Sequence, residues 1–235
     1  MRPRLAVALD VPDGDAARNA AEALRGQVDI VKVGLELFIA AGPGLVGELA
    51  DQGWAVFLDL KLHDIPATVA GAVRSAAGLG AELLTLHTSG GRGMLEAAAA
   101  ARGTDGLPRL LGVTVLTSLD DGQLEEVGFA GGAAAGVTRL AALARSAGCD
   151  GVVSSPQEAA AVKQVCGAEF LAVTPGIRPV GSATDDQARI ATPADAVASG
   201  ADVLVVGRPI MRAPDPAAAA AAIRLEMEEA YGAER

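Results

Sequence analysis

The sequence predicts an α/β protein folded as a (β/α)8 barrel, and three observations carry that prediction. Eight short apolar runs alternate with longer, Ala-rich amphipathic stretches. Most of the short runs are nearly continuous in apolar residues, the pattern of parallel strands covered on both faces. A helix-to-strand phrase, Gly-Ala/Cys-Asp/Glu, recurs at 80–82, 148–150, 167–169 and 200–202. Such recurrence marks repeated αβ units within one domain over residues 1–235, not separate domains. An open doubly wound sheet is the alternative, disfavoured because no Gly-x-Gly-x-x-Gly follows the first run.

The strand-like runs are 5–10, 29–34, 55–60, 83–87, 110–116, 151–154, 170–174 and 203–207. Helical patterns lie between and after them at 16–24, 44–52, 68–79, 93–101, 135–146, 156–165, 193–199 and 216–230. Several open at a proline or behind a capping residue, and several close at a glycine: Gly53, Gly80, Gly148, Gly167 and Gly200. The longest irregular stretch, 175–188, is rich in Gly, Pro, Ser and Asp and reads as a lid after the seventh strand. A second loop, 117–126, follows the fifth.

Composition bounds the partners. The chain has 235 residues, enough for one large α/β domain; 51% are hydrophobic and only 3% aromatic, so the core is packed from Val, Leu, Ile and Ala. A net charge of −10 repels nucleic-acid backbones and anionic lipid, which excludes both as expected partners. Cys149 and Cys166 have no metal-type spacing and read as small buried thiols. Met1-Arg2-Pro3-Arg4 runs straight into a strand without the apolar core of a signal peptide, and no apolar run is long enough to span a bilayer. The expected location is the cytoplasm.

In a barrel, chemistry sits at the C-terminal ends of the strands. Polar residues there are Asp10, Lys32, Asp59, Lys61, His87, Thr117, Ser118, Arg178 and Arg208. A lysine within a doubly covered strand must snorkel outward or point into the barrel mouth, and the position of Lys32 near its strand's end favours the mouth. Asp10 is equally readable as a turn residue leading into Val11-Pro12-Asp13-Gly14. Asp59 and Lys61, two apart, share a face of an extended strand. With Lys32 and Asp64 they make two acids and two bases able to form one alternating cluster. The bland alternative is a solvated salt bridge plus a cap for the helix near Pro66. Against it, the charges cap an apolar strand, where desolvation is costly unless they pair. Gly207-Arg208 ends the eighth strand, where loop amides cradle phosphate and an arginine grips it; a surface arginine before Pro209 is the bland alternative. Arg178 and Gln187 flank the expected lid. His63 and His87 read as packing and strand-end residues rather than acid–base groups, and no His/Cys/carboxylate set has zinc spacing.

These residues carry a resemblance over essentially the full length. Leu9-Asp10, Val31-Lys32-Val33-Gly34, Asp59-Leu60-Lys61-Leu62-His63-Asp64-Ile65-Pro66-x-Thr68, Leu116-Thr117-Ser118, Thr174-Pro175-Gly176-Ile177-Arg178, Gln187 and Val206-Gly207-Arg208-Pro209-Ile210 follow in order. The chain resembles bacterial-type orotidine 5′-phosphate decarboxylases. The resemblance implies conversion of orotidine 5′-monophosphate to UMP and CO2, the last step of UMP synthesis, with no metal and no cofactor. It implies that Lys61 protonates C6, that Lys32, Asp59 and Lys61 form a charged array, and that Asp64 of a partner subunit completes it. Asp10 and Lys32 are implied at the ribose, Ser118 at the pyrimidine edge, and Arg178, Gln187, Gly207 and Arg208 at the phosphate. Thr117 and Pro175, from the same motifs, join the implied substrate contacts. A homodimer is implied, with Asp64, Ile65 and Thr68 contributed across the interface. One rival is a Mg2+-dependent sugar-phosphate decarboxylase or hexulose-phosphate synthase of the same superfamily. Those resemble the chain less at the second strand, where they carry a metal-binding glutamate in place of Lys32. The other rival, a non-catalytic phosphate-ligand barrel, has no need of the charged array.

Overall fold

Near-continuous apolar strands have no face to give to water, and closing them into a ring covered by helices answers that constraint. In a computed structural model, which describes residues 2–179 and 191–233, eight parallel strands pair in chain order and the eighth returns to the first. They are β1 (Arg4–Ala8), β2 (Ile30–Gly34), β3 (Ala55–Leu62), β4 (Leu83–His87), β5 (Arg109–Val113), β6 (Gly151–Val153), β7 (Leu171–Thr174) and β8 (Val203–Val206). All eight expected strands are present. β1 and β5 stop short of their expected ends, and β3 runs on to Leu62.

Strand alternation sorts side chains into two cores. Ala6, Ala8, Ile30, Phe57, Leu83, Leu111, Leu171, Val173, Val203 and Val205 fill the barrel interior. Phe57 is the largest of them, in a core otherwise short of aromatics. Their alternates, such as Val31, Val33, Val56, Leu58 and Leu84, pack outward against the helices. Lys32 and Asp59 follow Ile30 and Phe57 at two-residue spacing, so both rise from the interior face toward the mouth.

The recurrent helix-to-strand phrase has a physical role at the opposite end. Gly80, Gly148, Gly167 and Gly200 all sit at positive φ, between 74° and 90°, where a Cβ is unfavourable. Two of the acids that close the phrase capture strand-opening amides: Asp150 accepts from Leu110 N at 2.7 Å and Asp202 from Ala172 N at 2.7 Å. Asp29, ahead of β2, does the same for Leu5 N at 2.8 Å. Each carboxylate also holds a cation, Arg102, Lys163 and Arg224 respectively. The phrase thus locks neighbouring strands in register at the floor, away from the mouth.

Three short helices depart from the expected pattern. Leu35–Ala41 follows β2 directly, with no side-chain cap at Gly34. Arg208–Met211 forms a single turn after β8. The loop expected at 117–126 contains the helix Asp121–Glu126, because Asp120 and Gln123 form a reciprocal capping box that satisfies its first amides. The expected lid at 175–188 falls largely outside the described residues. Within them, Ile177 bridges to Ala191 and Arg178 N donates to Ala191 O at 2.9 Å. Cys149 and Cys166 are buried, and burial, reinforced by the Asp150 charge, pushes the Cys149 thiol up to about 12. Among the described residues no helix is long and apolar enough to cross a membrane.

Candidate active site

The C-terminal mouth holds a cavity of about 240 Å3. Its floor and walls are apolar, from Ala8, Phe57, Val113, Val153, Val173 and Val205, and its rim is charged. Asp10, Lys32, Asp59, Lys61, Thr117, Pro175, Arg178, Gly207 and Arg208 all line it. Asp64, Ile65, Thr68 and Ser118 do not; all four are exposed. Gln187 lies outside the described residues.

The array is centred on Asp59. Lys61 Nζ lies 2.9 Å from both of its carboxylate oxygens. Lys32 Nζ lies 3.8 Å from Oδ2 of Asp59 and 3.5 Å from Oδ1 of Asp10. Thr85 Oγ1 donates to Oδ1 of Asp59 at 2.8 Å. Burial works to raise the Asp59 carboxyl, but the charges of Lys32 and Lys61 and the bonds from Lys61 and Thr85 outweigh it and hold the group below the usual carboxylate range. Asp59 is therefore an anion fixed between two ammonium groups. Gly34, opposite Asp59 across the β2–β3 ladder, leaves room for the array: a Cβ there meets Lys32 Nζ at 3.0 Å. Gly207 does likewise for Asp10, whose Oδ2 a Cβ meets at 3.3 Å.

The alternation argument that put Asp59 and Lys61 on one face names the right neighbours for an incomplete reason. β3 is not regular there. Leu58 pairs with Leu84 and Leu62 with Leu86, so residues 59, 60 and 61 stand opposite Thr85 alone. Lys61 has φ 51°, the only non-glycine with positive φ among the described residues. Such backbone is costly for a side chain and persists where the surroundings over-determine it. This left-handed bulge is what turns the Lys61 ammonium back onto Asp59.

The rest of the motif leads away from the cavity. Asp64 Oδ1 accepts from the Ile65 amide at 2.6 Å, and the helix Pro66–Gly78 begins without a side-chain cap. Asp64 thus does not complete the array within one chain, and the capping role for it is not realised. His63 and His87 pack ring on ring, with centroids 5.3 Å apart. Burial, with the nearby charges of His63 and Lys61, lowers the His87 pKa below the ordinary imidazole value. Across the mouth, Arg178 follows β7, is buried, and donates to Ile177 O at 3.0 Å. Arg208 follows β8 and is half-buried. Sequence reasoning missed Thr85. Its only signal was a hydroxyl on the inward parity of β4, between Leu83 and His87.

A closed parallel barrel with a lysine–aspartate–lysine array on the C-terminal halves of β2 and β3, facing two arginines after β7 and β8, defines the class: a (β/α)8-barrel enzyme working at its strand ends. The chain belongs to the orotidine 5′-phosphate decarboxylase / HUMPS family, whose model matches residues 3–223. Relatives bearing the name orotidine 5′-phosphate decarboxylase include one from Halorhodospira halophila, 57% identical over 97% of both chains. Another, from Anaeromyxobacter sp. strain K, is 56% identical over 95% of this chain and 98% of its own. The crystal structure of the Lactobacillus acidophilus orotidine 5′-phosphate decarboxylase superposes with a TM-score of 0.84 at 39% identity, covering 97% of this chain and 99% of that one.

Proposed function

We propose that this chain decarboxylates orotidine 5′-monophosphate to UMP and CO2, the closing step of UMP formation, without metal or organic cofactor. The observation that carries the reading is the Asp59 carboxylate held between Lys61 at 2.9 Å and Lys32 at 3.8 Å, at the charged rim of an apolar cavity. The names of the relatives support the same substrate.

The chemistry requires such a layout. When the C6–carboxylate bond breaks, CO2 leaves and the electron pair stays on C6 as a vinyl-type carbanion with no adjacent electron sink. An ammonium fixed beside C6 stabilises that pair and then transfers its proton to it. Lys61 takes this role and is reprotonated from solvent. Asp59 fixes Lys61 and, being anionic, disfavours a second carboxylate beside it. The apolar wall of Phe57, Val113 and Val205 takes the flat pyrimidine. In this reading Thr117 and Pro175, which line the cavity, contact the substrate, Ser118 reaches the pyrimidine edge from outside that lining, and Asp10 and Lys32 take the ribose. Arg178, Gln187, Gly207 and Arg208 take the phosphate, whose binding energy appears as a lower barrier at the distant ring. A Mg2+-dependent reading is disfavoured by charge: two ammonium groups flank the carboxylate that a divalent ion would need.

The active form in this reading is a homodimer, with Asp64, Ile65 and Thr68 reaching the neighbour's site. Two features support it. Asp64 carries the motif's second acid yet does not line its own cavity, and Leu35, Ile39 and Ile65 are exposed apolar residues beside the mouth, Ile39 at 80%. Mixing Lys61→Ala with Asp64→Asn chains tests the sharing. Recovered activity, approaching a quarter of wild type, is expected; none argues that each site is built from one chain. The cytoplasm is the proposed location.

The function itself is tested by following the ultraviolet absorbance of orotidine 5′-monophosphate with purified protein in excess EDTA. Complete conversion to UMP is expected. No conversion overturns the reading, and conversion that EDTA abolishes favours the metal-dependent alternative.

A further inference from the structure

The irregularity in β3 raises the question of what holds Lys61 in place. In a regular parallel ladder the Lys61 amide would bond a β4 carbonyl; here it donates instead to Thr85 Oγ1 at 2.9 Å. The same hydroxyl donates its proton to Asp59 Oδ1 at 2.8 Å. Thr85 is fully buried and is the one β4 residue opposite the three-residue bulge. Its polarity admits no reversal, because an amide only donates and an ionised carboxylate only accepts. Branching at Cβ restricts its χ1, so the hydroxyl is held rather than swinging.

We propose that Thr85 is a positioning residue for the reaction: its hydroxyl ties the left-handed Lys61 backbone to the Asp59 carboxylate, setting the line along which the ammonium meets C6. The proposal rests on the decarboxylase reading above. It assigns to β4 a part of the array that the Asp-x-Lys-x-x-Asp segment does not contain. Without the hydroxyl, the Lys61 amide loses its partner in a part-buried place, and the bulge loses its tie to β4 between the flanking Leu58–Leu84 and Leu62–Leu86 pairs. Asp59 also loses one of its donors.

Thr85→Val keeps the shape and removes the hydroxyl, and Thr85→Ser keeps the hydroxyl. The expected result for Thr85→Val is a fall in kcat of roughly 10- to 100-fold, the scale of a sub-ångström to 1 Å displacement of a reacting group. KM for orotidine 5′-monophosphate should stay within a few-fold, since the phosphate grip on the other side of the mouth is untouched. The acid limb of the kcat profile should move to higher pH. Thr85→Ser should restore kcat to within several-fold and return the acid limb. Unchanged kcat and pH profile in Thr85→Val overturn the proposal, as does a loss that Thr85→Ser fails to repair. Should Thr85→Val fail to fold, Thr85→Ala against Thr85→Ser carries the same comparison. In the wild-type protein, slow hydrogen exchange at the Lys61 amide is expected, and rapid exchange counts against the tether. A wild-type chain that does not turn over orotidine 5′-monophosphate sinks the functional reading, whereas an active wild type with an equally active Thr85→Val sinks only the role of Thr85.

Discussion

Asp59→Asn removes the single negative charge that stands between two ammonium groups, and the structure bounds what this costs. At an effective dielectric constant of about 20, the attractions at 2.9 Å and 3.8 Å are each gross terms of about 4–6 kcal/mol. Desolvation of three largely buried groups offsets much of that. The cost has a ceiling, because the variant can relieve it by deprotonating one lysine. From an ordinary lysine value near 10.4, neutralising one at pH 7 costs ~4.6 kcal/mol, and at pH 9 only ~1.9 kcal/mol. A destabilisation of about 3 kcal/mol at pH 7 is therefore expected. In the variant a folded-state lysine is depressed, so the unfolded state binds more protons up to pH ~10.4, and stability rises with pH. The gap from wild type should narrow to under ~2 kcal/mol by pH 9. Urea unfolding followed by far-ultraviolet circular dichroism, at one fixed protein concentration, measures both gaps. A gap below ~1 kcal/mol at pH 7, or one that does not narrow by pH 9, refutes the coupled array.

Two further predictions address the rest of the mouth. Arg208→Ala should weaken UMP binding by roughly 10- to 100-fold in calorimetric titration, the scale of a lost charge-assisted bond, and unchanged binding contradicts its phosphate role. Burial, with the charges of His63 and Lys61, lowers the His87 pKa, so an unfolded imidazole takes a proton while the folded one does not. Stability should thus fall as pH drops below about 6.5 toward the folded value, and His87→Gln should flatten that fall in Tm between about pH 7 and pH 5; an identical slope in the variant removes His87 as its source.

What was legible in the sequence follows from what each feature depends on. The strands were legible because a strand buried on both faces leaves a local mark, a run of apolar residues bounded by glycine. The helices Leu35–Ala41 and Arg208–Met211 were not, since neither is long enough to show a period and the first starts without a capping side chain. Asp121–Glu126 did carry a signal, Asp120 three before Gln123, hidden within a polar stretch. Strand ends placed Asp10, Lys32, Asp59, Lys61, Arg178 and Arg208 on one cavity. The left-handed Lys61 left no trace in composition, because the register shift that demands it is set by β4 pairing, a non-local fact. Thr85 left only a hydroxyl on the inward parity of β4, and its role was not legible for the same non-local reason. Asp64 shows the converse: its motif is plain in sequence, but within one chain it does not line the cavity of the array.

The account stands on Lys61 as the group that stabilises and protonates C6. Release of labelled CO2 from carboxyl-labelled orotidine 5′-monophosphate, by wild type and Lys61→Ala at saturating substrate, tests this most directly. The account predicts release by wild type and a loss of roughly four orders of magnitude or more in the variant, with its circular dichroism and UMP binding retained. A correctly folded Lys61→Ala that releases CO2 at a near-normal rate would contradict it.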